Sequence, residues 1–228
     1  MNQLTITYLL MGINILVFFV TQNQPQVVQR MMLINGRVRF NKEFDRLFLA
    51  GFAHGGIGHL IFNMLTLYYF GPALEDAIGK TLFLLLFLGS IVGGNLYCML
   101  MRKEDNHYAA LGASGGVLGL IFAFILAAPD AKLYLFFVPI GIPGWIFGIL
   151  FSISSIIFTQ LPRGEEARIS HEGHLGGALV GGLFMLGIIG VSFLNNQQLY
   201  FVIGGLAPIV LFALIKLLAP QFIYRHRR

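Results

Sequence analysis

Charge is what this sequence has least of. Asp, Glu, Lys and Arg together make up 11% of its 228 residues, against about 25% in an ordinary soluble domain. A soluble globule cannot clothe its surface with so few charges, so a cytosolic enzyme and a disordered chain are both excluded. Cysteine is almost as scarce. Cys98 stands alone, which rules out a disulfide-stapled secreted scaffold and leaves any metal site to His and carboxylates. Low-complexity segments and internal repeats are missing too, so a transporter built from inverted repeats gains no support. What remains is apolar. Hydrophobic residues reach 57%, and 22 Phe outnumber the 15 Lys and Arg. The mean hydropathy is +0.78 and the isoelectric point is near 9.5. In so apolar a chain, basic residues outside the apolar runs face lipid headgroups rather than nucleic acid. The composition describes an all-α polytopic membrane protein whose first partner is the bilayer.

A helix crossing the bilayer needs about 20 mostly apolar residues. The first run covers Leu4 to Thr21, with no basic residue before it and no small-residue cleavage site after it, and is expected to be a permanent signal-anchor. A polar stretch from Gln22 to Arg46 follows, carrying Arg30, Arg37, Arg39, Lys42 and Arg46. Further runs cover Gly55 to Leu74, Thr81 to Met101, Leu111 to Ala128, Ile142 to Leu161, Gly173 to Phe193 and Leu199 to Leu218. Seven spans joined mostly by short loops make one helical bundle. Between Ala131 and Pro143, two prolines and one glycine suit a bent interfacial lead-in, and no strand periodicity is visible.

Glycine supplies the packing logic. Many of the 28 recur at four-residue spacing, as in Gly115/Gly119, Gly173/Gly177/Gly181 and Gly144/Gly148. Small residues at that interval let helix backbones approach closely, where lipid tails remove the hydrophobic drive to associate.

Polar residues inside apolar runs are expensive, and so informative. His54, His59 and Asn63 open the second run in AHGGIGHLIFN; Ser114 opens the fourth in LGASGGVLG; His174 opens the sixth in HEGHLGGALVGG. Consecutive spans alternate direction and an odd-numbered loop precedes each of these runs, so all three clusters lie toward one membrane face. From Ser114 to Ala128 a helix rises about 21 Å, which puts Ser114 roughly 9 Å below the near surface of a core about 30 Å thick. His174, just past Glu172, lies at similar depth. A serine and a histidine at matching depth on facing helices can form a nucleophile–base pair. His59 and Asn63, four residues apart, share a helical face. His54 and His59, five apart, point about 140° away from each other on a regular helix.

Ser114 also stands where a helix begins, between Gly112, Gly115 and Gly116. Free N–H groups of a first helical turn favour an oxyanion. The stretch matches G-x-S-x-G, although a nucleophile elbow needs a strand before it.

Taken together, Gly112-Ala113-Ser114-Gly115, the HGGIGHLIFN block and His174-Leu175-Gly176-Gly177 resemble the signature of the rhomboid intramembrane serine proteases, over about Arg46 to Gly182. The resemblance implies a helical bundle of six core spans plus a seventh. It makes residues 1–228 one membrane domain, with its core at about 46–193, an anchor at 4–21 and an extra span at 199–218. It also implies Ser114 as nucleophile and His174 as general base, with no acidic third member. His59, Asn63 and the Ser114 N–H would form the oxyanion hole. His54, Gly112, Gly115 and Gly177 take supporting places. Glu75, closed by Gly79, is similar to an acid-to-glycine pair after the second span, and Arg46 to the arginine of a Trp-Arg pair whose tryptophan is here Asp45. Leu118 occupies a place where several members carry an aromatic against the catalytic histidine, so another group must orient His174.

The implied activity is cleavage of transmembrane or juxtamembrane segments of other membrane proteins, without metal or other cofactor, in a multi-pass protein of a bacterial inner membrane. His171-Glu172-Gly173-His174 has the wrong spacing for a zinc-protease helix. A non-proteolytic binder of membrane helices is the alternative, and a small transporter lined by these polar groups a third. The sequence leaves the oligomeric state open. Orientation is contested within the sequence itself. Odd loops hold Arg30, Arg37, Arg39, Lys42, Arg46, Arg102, Lys103, Arg163 and Arg168, whereas even loops hold Lys80 and Lys132. Positive-inside counting puts the Ser114 face in the cytoplasm; the resemblance puts it outside, and that orientation is adopted. The fifth run, with Pro139, Gly141, Pro143 and Gly144 at its start, is the expected mobile wall for sideways entry of a substrate. Its Trp145, Phe147, Phe151 and Phe158 are expected to fill the gap to the second run.

Overall fold

The computed structural model describes residues 5–134, 140–160 and 170–219. Leu4, Pro139, Leu161, the fifth loop with Arg163 and Arg168, and the terminal RHRR with His226 lie outside them. Each of the seven apolar runs contains a helix. They are α1 (Ile6–Thr21), α5 (Ile57–Ile78), α6 (Lys80–Met101), α7 (Ser114–Ala127), α8 (Gly144–Gln160), α9 (His171–Ile189), and a last span in which a π-type segment joins α10 (Asn196–Phe201) to α11 (Ala207–Leu218). Three are long and apolar enough to cross a membrane alone: α6, α9 and the Asn196–Leu218 span. A fourth is the segment Arg46–Phe52 with α5, bent by 92°, while α1, α7 and α8 are shorter apolar helices. The chain is a multi-pass integral membrane protein with an all-α bundle fold.

The bundle is centred on α7, which is buried along nearly its whole length between α6 and α9. A Cβ on Gly177 would stand 2.0 Å from the Gly115 carbonyl oxygen, and one on Gly181 the same distance from that of Gly119. The two four-residue glycine rows therefore meet each other, and the α7 and α9 backbones touch. Gly148 fits a different partner, because its Cβ would strike the Phe201 ring at 2.2 Å.

The polar stretch after α1 is folded as well. It forms α2 (Pro25–Met31), the short strand β1 (Leu33–Ile34), α3 (Asn35–Asn41) and α4 (Arg46–Leu49). Arg46, 4% exposed, fastens it. Its Nη1 donates to the carbonyls of Gln29 and Met32, at 2.8 Å each, and its Nε donates to Glu43 at 2.5 Å. That hydrogen bond holds the Glu43 carboxyl below its usual range. Glu75, far along α5, takes the N–H groups of Ile6 and Thr7 at 2.8 and 2.9 Å and the Thr7 hydroxyl at 2.8 Å. It thereby caps α1, whose first-turn N–H groups have no partner within the helix.

Two β ribbons correct the expectation of no strand. β1 pairs antiparallel with β2 (Ala109–Ala110), Leu33 opposite Ala110. What was expected as a bent lead-in contains β3 (Lys132–Tyr134) paired with β4 (Gly141–Pro143). Strands of two or three residues are too short to show a period-two pattern. Long-range bonds define the first ribbon: Asn35 N–H reaches the Tyr108 carbonyl at 3.1 Å and Gly36 N–H that of Asn106 at 2.8 Å.

Candidate active site

Ser114 is the first residue of α7, after a turn that follows β2. The strand before G-x-S-x-G thus exists, reduced to two residues. The turn depends on Gly112, whose φ of +119° suits glycine. Its missing side chain also makes room for a neighbour, since a Cβ there would lie 2.4 Å from Cε1 of His59. The Gly112 N–H is held by the Ala50 carbonyl at 2.8 Å. Helix α9 starts at His171 under the Ser170 side chain, which accepts the Gly173 N–H at 3.0 Å. His174 follows one turn in, and its Nε2 lies 2.8 Å from Ser114 Oγ. Two residues 60 positions apart, matched in depth and side by the sequence, are in hydrogen-bond contact.

That contact faces a cavity of about 850 Å³, lined also by His59, Asn63, Phe62 and Leu118. Asn63 is 5% exposed, and its Nδ2 donates to Nε2 of His54 at 3.0 Å. The His54 and His59 rings stand 5.1 Å apart edge to face. This departs from the 140° expectation for a physical reason. α5 begins only at Ile57, so His54 lies in the preceding turn and is not bound by the helical angle. The supporting residues divide. Gly112 shapes the turn, and Gly115 meets Gly177 behind Ser114, whereas Arg46 and Glu75 secure the first loop and α1 away from the cavity.

The group beside His174 comes from α8. Leu118 is in place on α7, but the Phe151 ring sits 6.4 Å from the His174 ring, and His171 lies edge-on at 6.1 Å. Phe151 also packs on Phe122 of α7 and on Phe147; Trp145 packs on Tyr200, and Phe158 stacks on His171. The described ring partners of these four aromatics beyond α8 thus lie on α7, α9 and α10. Among the described residues, none of the ring contacts of these four side chains reaches α5. Instead the cavity runs between Phe62 and Thr66 of α5 and Val117, Leu118 and Ile121 of α7. Sequence reasoning also passed over the polar group around the α9 N-terminus, formed by Arg102, Tyr108, Ser170 and Glu172. Ser170 carried a readable signal, a serine directly before a helix. Glu172 is fully buried.

A multi-pass helical bundle with a serine and a histidine in contact at the wall of an internal cavity defines a class of membrane protein with hydrolase-like geometry. The comparisons narrow it. A sequence model of the Rhomboid domain matches residues 41–193, well over half of the chain, and the chain belongs to the rhomboid family. It is 30% identical over 193 residues to "Rhomboid protease GluP" of Bacillus subtilis, covering 82% of this chain and 35% of that protein. It is 28% identical to "Rhomboid protein 1, mitochondrial" of Saccharomyces cerevisiae, covering 78% and 52%. With "RHOMBOID-like protein 12, mitochondrial" of Arabidopsis thaliana the identity is 31%, covering 59% and 43%. The chain spans about half the length, or less, of these curated relatives.

Proposed function

We propose that this chain is an intramembrane serine endopeptidase that cleaves transmembrane or juxtamembrane segments of other membrane proteins with a Ser114–His174 dyad. The observation that carries the reading is the 2.8 Å contact between His174 Nε2 and Ser114 Oγ at the cavity wall. Ser114 Oγ attacks the scissile carbonyl carbon while His174 Nε2 takes its proton. The tetrahedral oxyanion is held by the Ser114 N–H with His59 and Asn63. As the intermediate collapses, His174 returns the proton to the leaving amine and the acyl group stays on Ser114. Water then attacks the ester with His174 again as base, releasing the acid and restoring the hydroxyl.

The apolar walls of α5 and α7 suit a peptide entering from the lipid, and a helix that unwinds near its end is the preferred substrate. Arg46 and Arg102, counted as loop charges, are both engaged in ion pairs. We read residues 1–228 as one membrane domain with its core at 46–193, set in a bacterial inner membrane.

The test is labelling of purified protein by a fluorophosphonate probe. Wild type is expected to label and Ser114→Ala not to. Equal labelling of both would overturn the nucleophile assignment.

A further inference from the structure

Arg102 closes α6 on the Ser114 side of the bundle. Its Nε donates to Glu172 Oε1 at 2.6 Å, and Nη2 pairs with the same oxygen. Nη2 also donates to the Thr159 carbonyl at 3.0 Å. The guanidinium rests on a fixed base, because the Arg102 carbonyl accepts Nδ2 of the buried Asn35 at 2.9 Å. The Tyr108 hydroxyl completes the group, 3.3 Å from Glu172 Oε2 and 2.6 Å from Ser170 Oγ.

Two helix ends meet at this cation. Thr159 lies in the last turn of α8, where carbonyls lack an intrahelical partner and a positive charge is favoured. Glu172 lies in the first turn of α9, where a negative charge is favoured. Both elements bear on one imidazole. His174 is two residues beyond Glu172, and Phe151, two turns before Thr159 on α8, lies against the His174 ring.

We propose that Arg102 is a positioning residue for His174, latching the end of α8 to the start of α9 so that the imidazole stays aimed at Ser114. This rests on the protease reading above. The competing role is plain neutralisation of Glu172, and the two roles separate by mutation. Arg102→Met removes the latch and takes one positive charge from beside a buried carboxylate, whereas Arg102→Met with Glu172→Met removes the latch and the carboxylate together. Replacing both members of a buried pair with apolar residues is often neutral for stability.

The experiment measures Tm, the rate of fluorophosphonate labelling at Ser114, and kcat and KM for a small soluble ester and for a transmembrane substrate. Arg102→Met is expected to lower Tm. It should also slow labelling and reduce kcat on both substrates by roughly tenfold or more, the cost of a misaimed catalytic group, with the ester KM nearly unchanged. The double variant should regain Tm while kcat stays low, and it carries the test if the single variant fails to fold. A double variant that regains both Tm and kcat overturns the latch and leaves Arg102 as a counter-ion. Wild-type kcat in Arg102→Met overturns it as well. A wild-type protein that never labels overturns the protease reading itself, and this inference with it.

Discussion

Asn63 Nδ2 lies 3.0 Å from His54 Nε2, a bond between the second turn of α5 and the turn before that helix. It fixes the Asn63 amide in one rotamer. With Nε2 acting as acceptor, the second amide N–H is left for a substrate oxygen in the cavity. A donor held in place before reaction is worth more than one that must be oriented during it. On the proposed mechanism, His54 would act on the oxyanion site through Asn63.

From this, Asn63→Ala and His59→Ala should each lower turnover by about 10²–10³, and labelling of Ser114 by much less. His54→Ala should cost less than Asn63→Ala. The double variant His54→Ala/Asn63→Ala should cost no more than Asn63→Ala alone, because coupled residues are not additive. Steady-state cleavage of a model substrate measures all of these. Additive losses would mean that His54 acts by another route, and wild-type rates in both single oxyanion variants would remove the role assigned to them.

Glu75 offers a test of the α1–α5 contact. Glu75→Ala leaves the Ile6 and Thr7 N–H groups and the Thr7 hydroxyl without their acceptor, at a site where Gly71 brings the backbone of α5 against the Thr7 side chain. An unsatisfied buried polar group costs about 1–3 kcal/mol. Thermal unfolding in detergent should show a clearly lower Tm, with the labelling rate of the folded fraction preserved. An unchanged Tm would show that α1 does not depend on this cap.

Much of the architecture was legible because the bilayer leaves few options. Apolar length marked seven helices, and the cost of intramembrane polar groups singled out Ser114, His174, His59 and Asn63, all of which line one cavity. That the Gly115/Gly119 and Gly177/Gly181 rows are packing positions was likewise readable from spacing, although not that they face each other. Three features were not. The direction of the His54 ring escaped because the onset of α5 at Ile57, not helical periodicity, decides where it points. The β1–β2 ribbon escaped because a two-residue strand has no period. Phe151 escaped because the ring that replaces an aromatic at Leu118 comes from a different helix, and nothing local to position 118 encodes its partner.

The packing of Phe151 against His174 and of Trp145 against Tyr200 changes what trimming them should do. Phe151→Leu takes a ring from beside His174 and should slow cleavage of a small soluble ester and of a transmembrane substrate by similar factors. Trp145→Ala loosens the contact with Tyr200 and should likewise leave the ratio of the two rates near the wild-type value. Faster cleavage of the transmembrane substrate alone, in either variant, would restore these side chains to a role in blocking entry.

The glycine rows give the sharpest contrast between neighbouring positions on one helix. At Gly177 a Cβ would lie 2.0 Å from the Gly115 oxygen and 2.6 Å from its carbonyl carbon. The obstacle is backbone, which cannot rotate away as a side chain does, so α7 and α9 would have to separate. That separation would also part Ser114, the first residue of α7, from His174, which lies one turn before Gly177. Overpacking of a tight core costs about 1–3 kcal/mol and occasionally more. Gly187, on the same helix, has nothing within 4 Å of its Cβ, and alanine there gains helix propensity of up to about 1 kcal/mol. Gly177→Ala is therefore expected to lower Tm markedly and to reduce fluorophosphonate labelling even well below its Tm, while Gly187→Ala keeps or raises Tm with wild-type labelling. Equal behaviour of the two variants in paired thermal and labelling assays would mean that the α7–α9 contact is not what holds serine and histidine together.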